Sequence, residues 1–155
     1  MKLSELEYSI PDGWFKTFGQ MLVDEVNEVD PTTRVIEAKE KFGSLRIYFD
    51  SSGGYYKVDK IIKKYSVLSE NICAICGKPD VHMTDVGWVY PLCEDCYKKT
   101  YRHTDKPYPT GEGGRMVDSY KVYKWVNGSL TKIEIDISDT ANKIREKWRA
   151  EHDSN

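Results

Sequence analysis

Four cysteines, in the pairs Cys73-x-x-Cys76 and Cys93-x-x-Cys96 with sixteen residues between them, are the only cysteines of this chain. Two thiolates two residues apart can grip one ion from a tight turn, and a second pair returned by a short excursion completes a tetrahedron. The spacing therefore predicts one structural zinc ion held by Cys73, Cys76, Cys93 and Cys96. Four thiolates leave no open coordination position, so chemistry at the metal itself is not expected. Neither pair has the strand-motif-helix setting of a redox dithiol.

Other reactive constellations are thin. A nuclease built on such a module needs a histidine base and a second metal with open positions. Only His82 lies between the pairs, with Asp80 and Asp85 nearby, and it reads as a surface loop residue. His103 and His152 read as exposed residues at helix ends. There is no Gly-x-Ser-x-Gly nucleophile turn and no phosphate-binding Gly-x-x-x-x-Gly-Lys loop. The chain is expected not to be an enzyme.

Two groups of cations are candidates for binding. Lys39, Lys41 and Arg46, with Tyr48, are expected on one face of a hairpin, where Lys41 would oppose Arg46 and either a partner carboxylate relieves the repulsion or the two side chains splay into water. Lys98, Lys99 and Arg102 follow Cys96 beside Tyr97 and Tyr101, a mixture suited to nucleic acid. The competing expectation is that Tyr97 and Tyr101 pack on the metal module and the lysines are merely solvated.

The composition sets bounds. Net charge is −2, so there is no overall electrostatic footprint for nucleic acid. Residues 1–54 carry a net of −4 and residues 55–108 a net of +2, which four thiolates and one divalent ion would cancel. No apolar run approaches the ~20 residues of a membrane helix, and the amino terminus lacks the apolar core of a secretion signal. A cytoplasmic protein with no membrane association is expected, since paired cysteines in a reducing compartment favour metal over disulfides.

The elements that must position these residues can be read from periodicity. Apolar residues at three- and four-residue steps predict a helix from Asp12 to Val29, capped by Asp12 and ended before Pro31. A hairpin, 34–41 and 45–50, is expected to turn at Gly43-Ser44, pairing Phe42 with Leu45, Lys41 with Arg46 and Glu40 with Ile47. Its apolar face would carry Ile36, Ala38, Phe42, Leu45, Ile47 and Phe49, with Glu40 in need of a partner. A second helix is expected from Tyr55 to Glu70. After the zinc segment, 105–114 reads as a linker rich in Pro and Gly. A second hairpin turns at Asn127-Gly128, pairing Trp125 with Leu130, Val122 with Ile133 and Tyr120 with Ile135. Ser138 or Asp139 would cap a last helix.

Glu40-Lys41-Phe42-Gly43-Ser44-Leu45-Arg46, followed by Cys-x-x-Cys-Gly and Gly87-Trp88-x-x-x-Leu92-Cys93-x-x-Cys96, resembles an uncharacterised family of phage and bacterial proteins. The resemblance runs from about Gly13 to Tyr101. It implies a small phage- or prophage-encoded accessory protein, working in the host cytoplasm on host machinery such as a defence or regulatory factor.

The expected fold is α+β: an α-ββ-α region (1–71), a treble-clef-like four-cysteine zinc module (72–104), a linker (105–114) and a C-terminal ββα unit (115–155). The expected function is zinc-stabilised, non-enzymatic binding of a protein partner, with nucleic-acid binding as the alternative.

Overall fold

The computed structural model describes residues 1–153, so the last two residues of the 115–155 unit lie outside the described residues. The chain is mixed α and β. A 3-10 turn (Leu3–Glu5) leads to α1 (Asp12–Trp14), a π-helical turn (Phe15–Gly19) and α2 (Gln20–Val29), which follow without a break. Then come β1 (Arg34–Lys41), β2 (Ser44–Asp50), α3 (Tyr55–Ser69), β3 (His82–Asp85), β4 (Val89–Leu92) and α4 (Glu94–Thr100). The chain ends with β5 (Ser119–Val126), β6 (Ser129–Asp136) and α5 (Ser138–His152). Among the described residues, the strands form three separate antiparallel hairpins. Among the described residues, no helix is long and apolar enough to cross a membrane.

The predicted helical stripe is core. Of the expected Phe15, Phe18, Leu22, Val26 and Val29, the middle three are fully buried, with Trp14, against Val58, Ile62, Tyr65 and Leu68 of α3 and Leu45 and Ile47 of β2, while Phe15 and Val29 are half-buried at the edge. Phe18 and Tyr65 stack with ring centroids 5.3 Å apart. Burying each such side chain is worth about 1.5–3 kcal/mol. Asp12 does not cap the rod as expected: it is the first helical residue, and Pro11 precedes it without a side-chain cap. Pro suits this boundary because its fixed φ resembles that of a helix. The π turn, absent from the periodicity reading, falls where the rod meets the metal module.

The β1–β2 register differs from the expected one. The turn is Phe42-Gly43, both at positive φ (53° and 80°), and it pairs Lys41 with Ser44, Glu40 with Leu45 and Lys39 with Arg46. The register moves by two residues, and a shift of two keeps every side chain on its face. Leu45 and Ile47 therefore still point inward, while Lys39, Lys41, Arg46 and Tyr48 share the outer face. Lys41 no longer opposes Arg46. Glu40 finds its partner locally, its carboxylate accepting from the Gly43 N–H at 2.7 Å. Neither Ile36 nor Phe42 is core: an irregularity between Val35 and Glu37 turns Ile36 outward, 67% exposed, and Phe42, taken into the turn, is exposed as well.

The β5–β6 hairpin has the expected register around Asn127-Gly128, whose positive φ values (49° and 79°) fit a type I′ turn. The α5 cap differs. Asp136, two residues ahead of the helix, accepts from the Ser138 N–H (2.8 Å) and hydroxyl (2.6 Å). Met116, Ile137, Ala141 and Ile144 join the main core, which gives this small unit the burial it could not make alone. The Arg145 guanidinium meets both carboxylate oxygens of Asp80 at 2.8 Å, and Asp80 also accepts from the Met116 N–H at 2.9 Å. Burial works against ionisation of Asp80, but these donors outweigh it and its carboxyl lies below the ordinary range. Residues 105–114 run along the metal module. There the Tyr108 hydroxyl donates to the Leu92 carbonyl (2.8 Å) and accepts from the His82 N–H (3.0 Å).

Asp30 closes the loop between α2 and β1 onto the loop after β2. Its carboxylate accepts from the Ser51 hydroxyl (2.6 Å), the Thr32 hydroxyl (2.5 Å) and N–H (2.9 Å), and the Gly53 N–H (3.1 Å). The Ser51 and Thr32 hydroxyls, then the two N–H groups, hold its carboxyl far below the ordinary 3.8. A depressed carboxyl stabilises the fold at pH values above the unfolded value and loses that contribution as pH falls through the folded one. Asp30→Asn is therefore expected to lower the unfolding midpoint at neutral pH and to flatten its decline below about pH 4. Denaturant titrations across the acid range check both effects.

Candidate metal centre

The first cysteine pair sits in a turn that folds back on itself after α3. The Cys73 N–H donates to the Lys78 carbonyl at 2.8 Å, and the Gly77 N–H donates to the Cys73 carbonyl at 2.9 Å. Gly77 is at φ +85°, a conformation glycine adopts without a Cβ penalty. The second pair spans the end of β4 and the start of α4. Cys93 caps α4, its sulfur accepting from the Cys96 N–H at 3.4 Å. The Ala74 N–H donates to the Pro91 carbonyl at 2.9 Å, which ties the two halves together.

All four Sγ atoms lie within 4.8 Å of one another, and Cys76 and Cys93 are 3.7 Å apart. A tetrahedral ion with thiolate bonds of about 2.3 Å requires sulfurs about 3.8 Å apart, so the cage is the right size for a metal ion. Disulfide bonds need about 2.05 Å, and all four cysteines are free. Cys73 and Cys93 are buried and Cys76 and Cys96 half-buried. The Cys76 thiol and nearby N–H groups draw Cys73 down to about 4. The same Cys73–Cys76 bond, with burial, pushes Cys76 up, and burial with the Cys93 sulfur pushes Cys96 up to about 12. Crowded thiols resist sharing negative charge, and a cation at their centre removes that resistance. With all four sulfurs engaged, the ion would have a structural role.

The turn is also a docking surface for the amino-terminal rod. The Gly13 N–H donates to the Ala74 carbonyl (2.9 Å), the Trp14 indole to the Ile72 carbonyl (2.9 Å) and the Thr17 hydroxyl to the Gly77 carbonyl (2.9 Å). Backbone meets backbone here. A Cβ on Gly13 would overlap the Cys73 carbonyl and lie 2.6 Å from the Gly77 nitrogen. A Cβ on Gly77 would overlap the Thr17 hydroxyl and lie 2.7 Å from the Gly13 carbonyl. Sequence reading missed Gly13, Trp14 and Thr17 as part of the centre, because nothing local marks a glycine for a contact made sixty residues away.

The other predicted residues fall in two separate places. Lys39 pairs with Glu37 at 2.8 Å and lies 5.9 Å from the Tyr48 ring, while Lys41 lies 5.8 Å from the Phe42 ring. Arg46 and Tyr48 are exposed beside them. On α4, Lys98 pairs with Glu94 at 3.1 Å and Lys99 is exposed, and Arg102 is exposed in the turn just after the helix. Tyr97 is buried in the metal module, with Tyr101 and Tyr108 packed on it. His82 is not a loop residue: it lies half-buried in β3, edge-on to Tyr108 at 5.6 Å and closed over Gly114. His103 and His152 are exposed, as expected.

Two outcomes follow for the centre. Replacing any one of the four cysteines by Ser should abolish metal retention in native mass spectrometry. Gly13→Ala removes no ligand, yet it should lower stability by about 3 kcal/mol, at the upper end of overpacking penalties, and speed metal loss to a chelator. Set beside known proteins, the chain matches no family model, no curated protein and no solved structure. Its four-cysteine cage and the helix docked on it are what characterise it.

Proposed function

We propose that this chain is a zinc-stabilised, non-enzymatic binding protein whose β1–β2 hairpin contacts a protein partner. Zinc is the ion that four thiolates in a closed tetrahedral cage suit best. The order of cysteine turn, hairpin and cysteine-capped helix supports a treble-clef reading of the module. Such a site has no open position for substrate, which favours a scaffold over a catalyst.

The observation that carries the proposal is Phe42. It occupies the left-handed region at φ +53°, and its ring is 72% exposed. A non-glycine residue there costs about 1–2 kcal/mol, and a ring this exposed recovers little from the fold beyond the Lys41 ammonium 5.8 Å away. Strain of this kind is typical of functional positions. The tip is held firmly in spite of it. Glu40 accepts from the Gly43 N–H, and Met83 of the metal module packs against Gly43, where a Cβ would lie 2.5 Å from its sulfur. Lys39, Lys41, Arg46 and Tyr48 flank the ring on the outer face, giving an aromatic anchor with a charged surround.

The cations on and just after α4 give weaker support to nucleic acid. Tyr97 is turned into the module, so it offers no stacking platform beside Lys98, Lys99 and Arg102. The motif resemblance to phage and bacterial proteins favours a bacterial host factor, in defence or regulation, as the partner.

Phe42→Asn separates binding from folding, because Asn tolerates the left-handed region. The variant should be more stable than the natural chain by about 1 kcal/mol and should fail to retain a protein captured by the natural chain from bacterial lysate. Retention of the same protein by the variant would contradict the proposal. So would a steeply salt-dependent affinity for oligonucleotide that is lost in the Lys98, Lys99 and Arg102 alanine variant.

A further inference from the structure

A groove runs between α3 and the inner face of the β5–β6 hairpin. Ile61, Tyr120 and Ile135 form its floor, and Lys57, Lys60 and Lys63 stand along its α3 side, with Lys124 across from them. Two adjoining cavities, about 280 and 200 Å³, share Lys60, Tyr120 and Ile135. Both fall below the ~300 Å³ where small-molecule sites begin, so they suit single side chains rather than a cofactor.

The charge along the groove lacks counterions. Among the described residues, none of these four lysines forms an ion pair, whereas their neighbour Lys64 is held by Glu25 at 2.5 Å. Of the two acids bordering the groove, Asp136 is occupied by Ser138, which leaves Asp59. The whole chain has slightly more acids than bases, so basic composition does not account for such a cluster.

We propose that this groove docks an acidic, amphipathic segment of a partner protein. Its large apolar side chains would enter the two cavities, and its carboxylates would meet the lysines at the edges. The floor decides against single-stranded nucleic acid as the occupant. Ile61, Val122 and Ile135 make most of it, with Tyr120 among them and Tyr56 bordering only the smaller cavity, whereas base stacking needs aromatic faces laid along the groove. The inference rests on the protein-binding reading of the chain but not on the Phe42 hairpin, and it adds a second, separate contact surface.

The test uses the intact zinc-loaded chain and a short fluorescent peptide, with Leu at helical spacing and Asp or Glu elsewhere, read by anisotropy at low and physiological salt. The peptide should bind at least about tenfold tighter than its Asn/Gln counterpart, and Lys60→Glu/Lys63→Glu should weaken it by about tenfold or more. Both lysines are exposed, so the double variant should keep the natural melting temperature. Ile135→Thr, on the floor, should also weaken binding, while Phe42→Asn should leave it unchanged. Tighter binding of oligothymidylate than of the peptide would overturn the proposal. So would a concentration-dependent dimer that excludes the peptide, a peptide affinity indifferent to the lysine variant, or no binding by the folded chain. Failure here with partner capture still lost in Phe42→Asn would sink the groove and leave the hairpin reading standing.

Discussion

The amino-terminal rod and the first cysteine turn touch backbone to backbone, and the rest of the structure is arranged around that contact. Gly13, Trp14 and Thr17 each donate to a carbonyl of the Ile72–Gly77 segment, and at Gly13 and Gly77 there is no room for a side chain. Such an approach is possible only if the turn keeps one shape. A metal held by Cys73 and Cys76 would impose that shape, and coordination and helix docking would then be two sides of one constraint. The wide π turn lies within the same contact, and the Lys147 ammonium from α5 bonds to the Lys16 and Thr17 carbonyls there (2.5 and 3.0 Å).

From that contact the module reaches the β1–β2 hairpin and the C-terminal unit. Met83 packs under Gly43 and supports the strained Phe42 turn. Asp80, at φ +60° beside the cysteine turn, clamps Arg145 and the Met116 N–H, and so seats the C-terminal ββα unit. The two binding surfaces proposed for this chain are thus carried by elements that lean on, or are seated beside, the metal module. A metal without an open coordination site can still govern function by setting where other surfaces stand.

Much of this was legible in the residues, for identifiable reasons. The cysteine spacing gave the cage, because a chelating pair must be local. Asn127-Gly128 gave a register correct to the residue, because both residues accept positive φ. The register of the first hairpin was misread because Phe42 takes a conformation that phenylalanine ordinarily avoids. Leu45 and Ile47 kept their face, since a shift of two preserves it, but Ile36 and Phe42 did not: an irregularity interrupts the alternation at Ile36, and Phe42 sits in the turn itself. What stayed hidden was long-range: Gly13 against Cys73, Asp80 with Arg145, His82 closed over Gly114. Each depends on a partner that no local pattern announces. The lysines of α3 carry no local signal that sets them apart from a solvated helix face, and only the packing of β5–β6 opposite them makes a groove.

If metal and docked helix form one cooperative unit, removing the ion must be felt far from the sulfurs. Amide hydrogen exchange of α2 and α3, compared in the metal-loaded and the chelated chain, measures this directly. The expected result is a loss of protection at Leu22, Val26, Ile62 and Tyr65 that matches the loss around Cys73 and Cys93. Unchanged protection in both helices, with exchange faster only in residues 72–101, would contradict the claim that the metal turn holds the core in place.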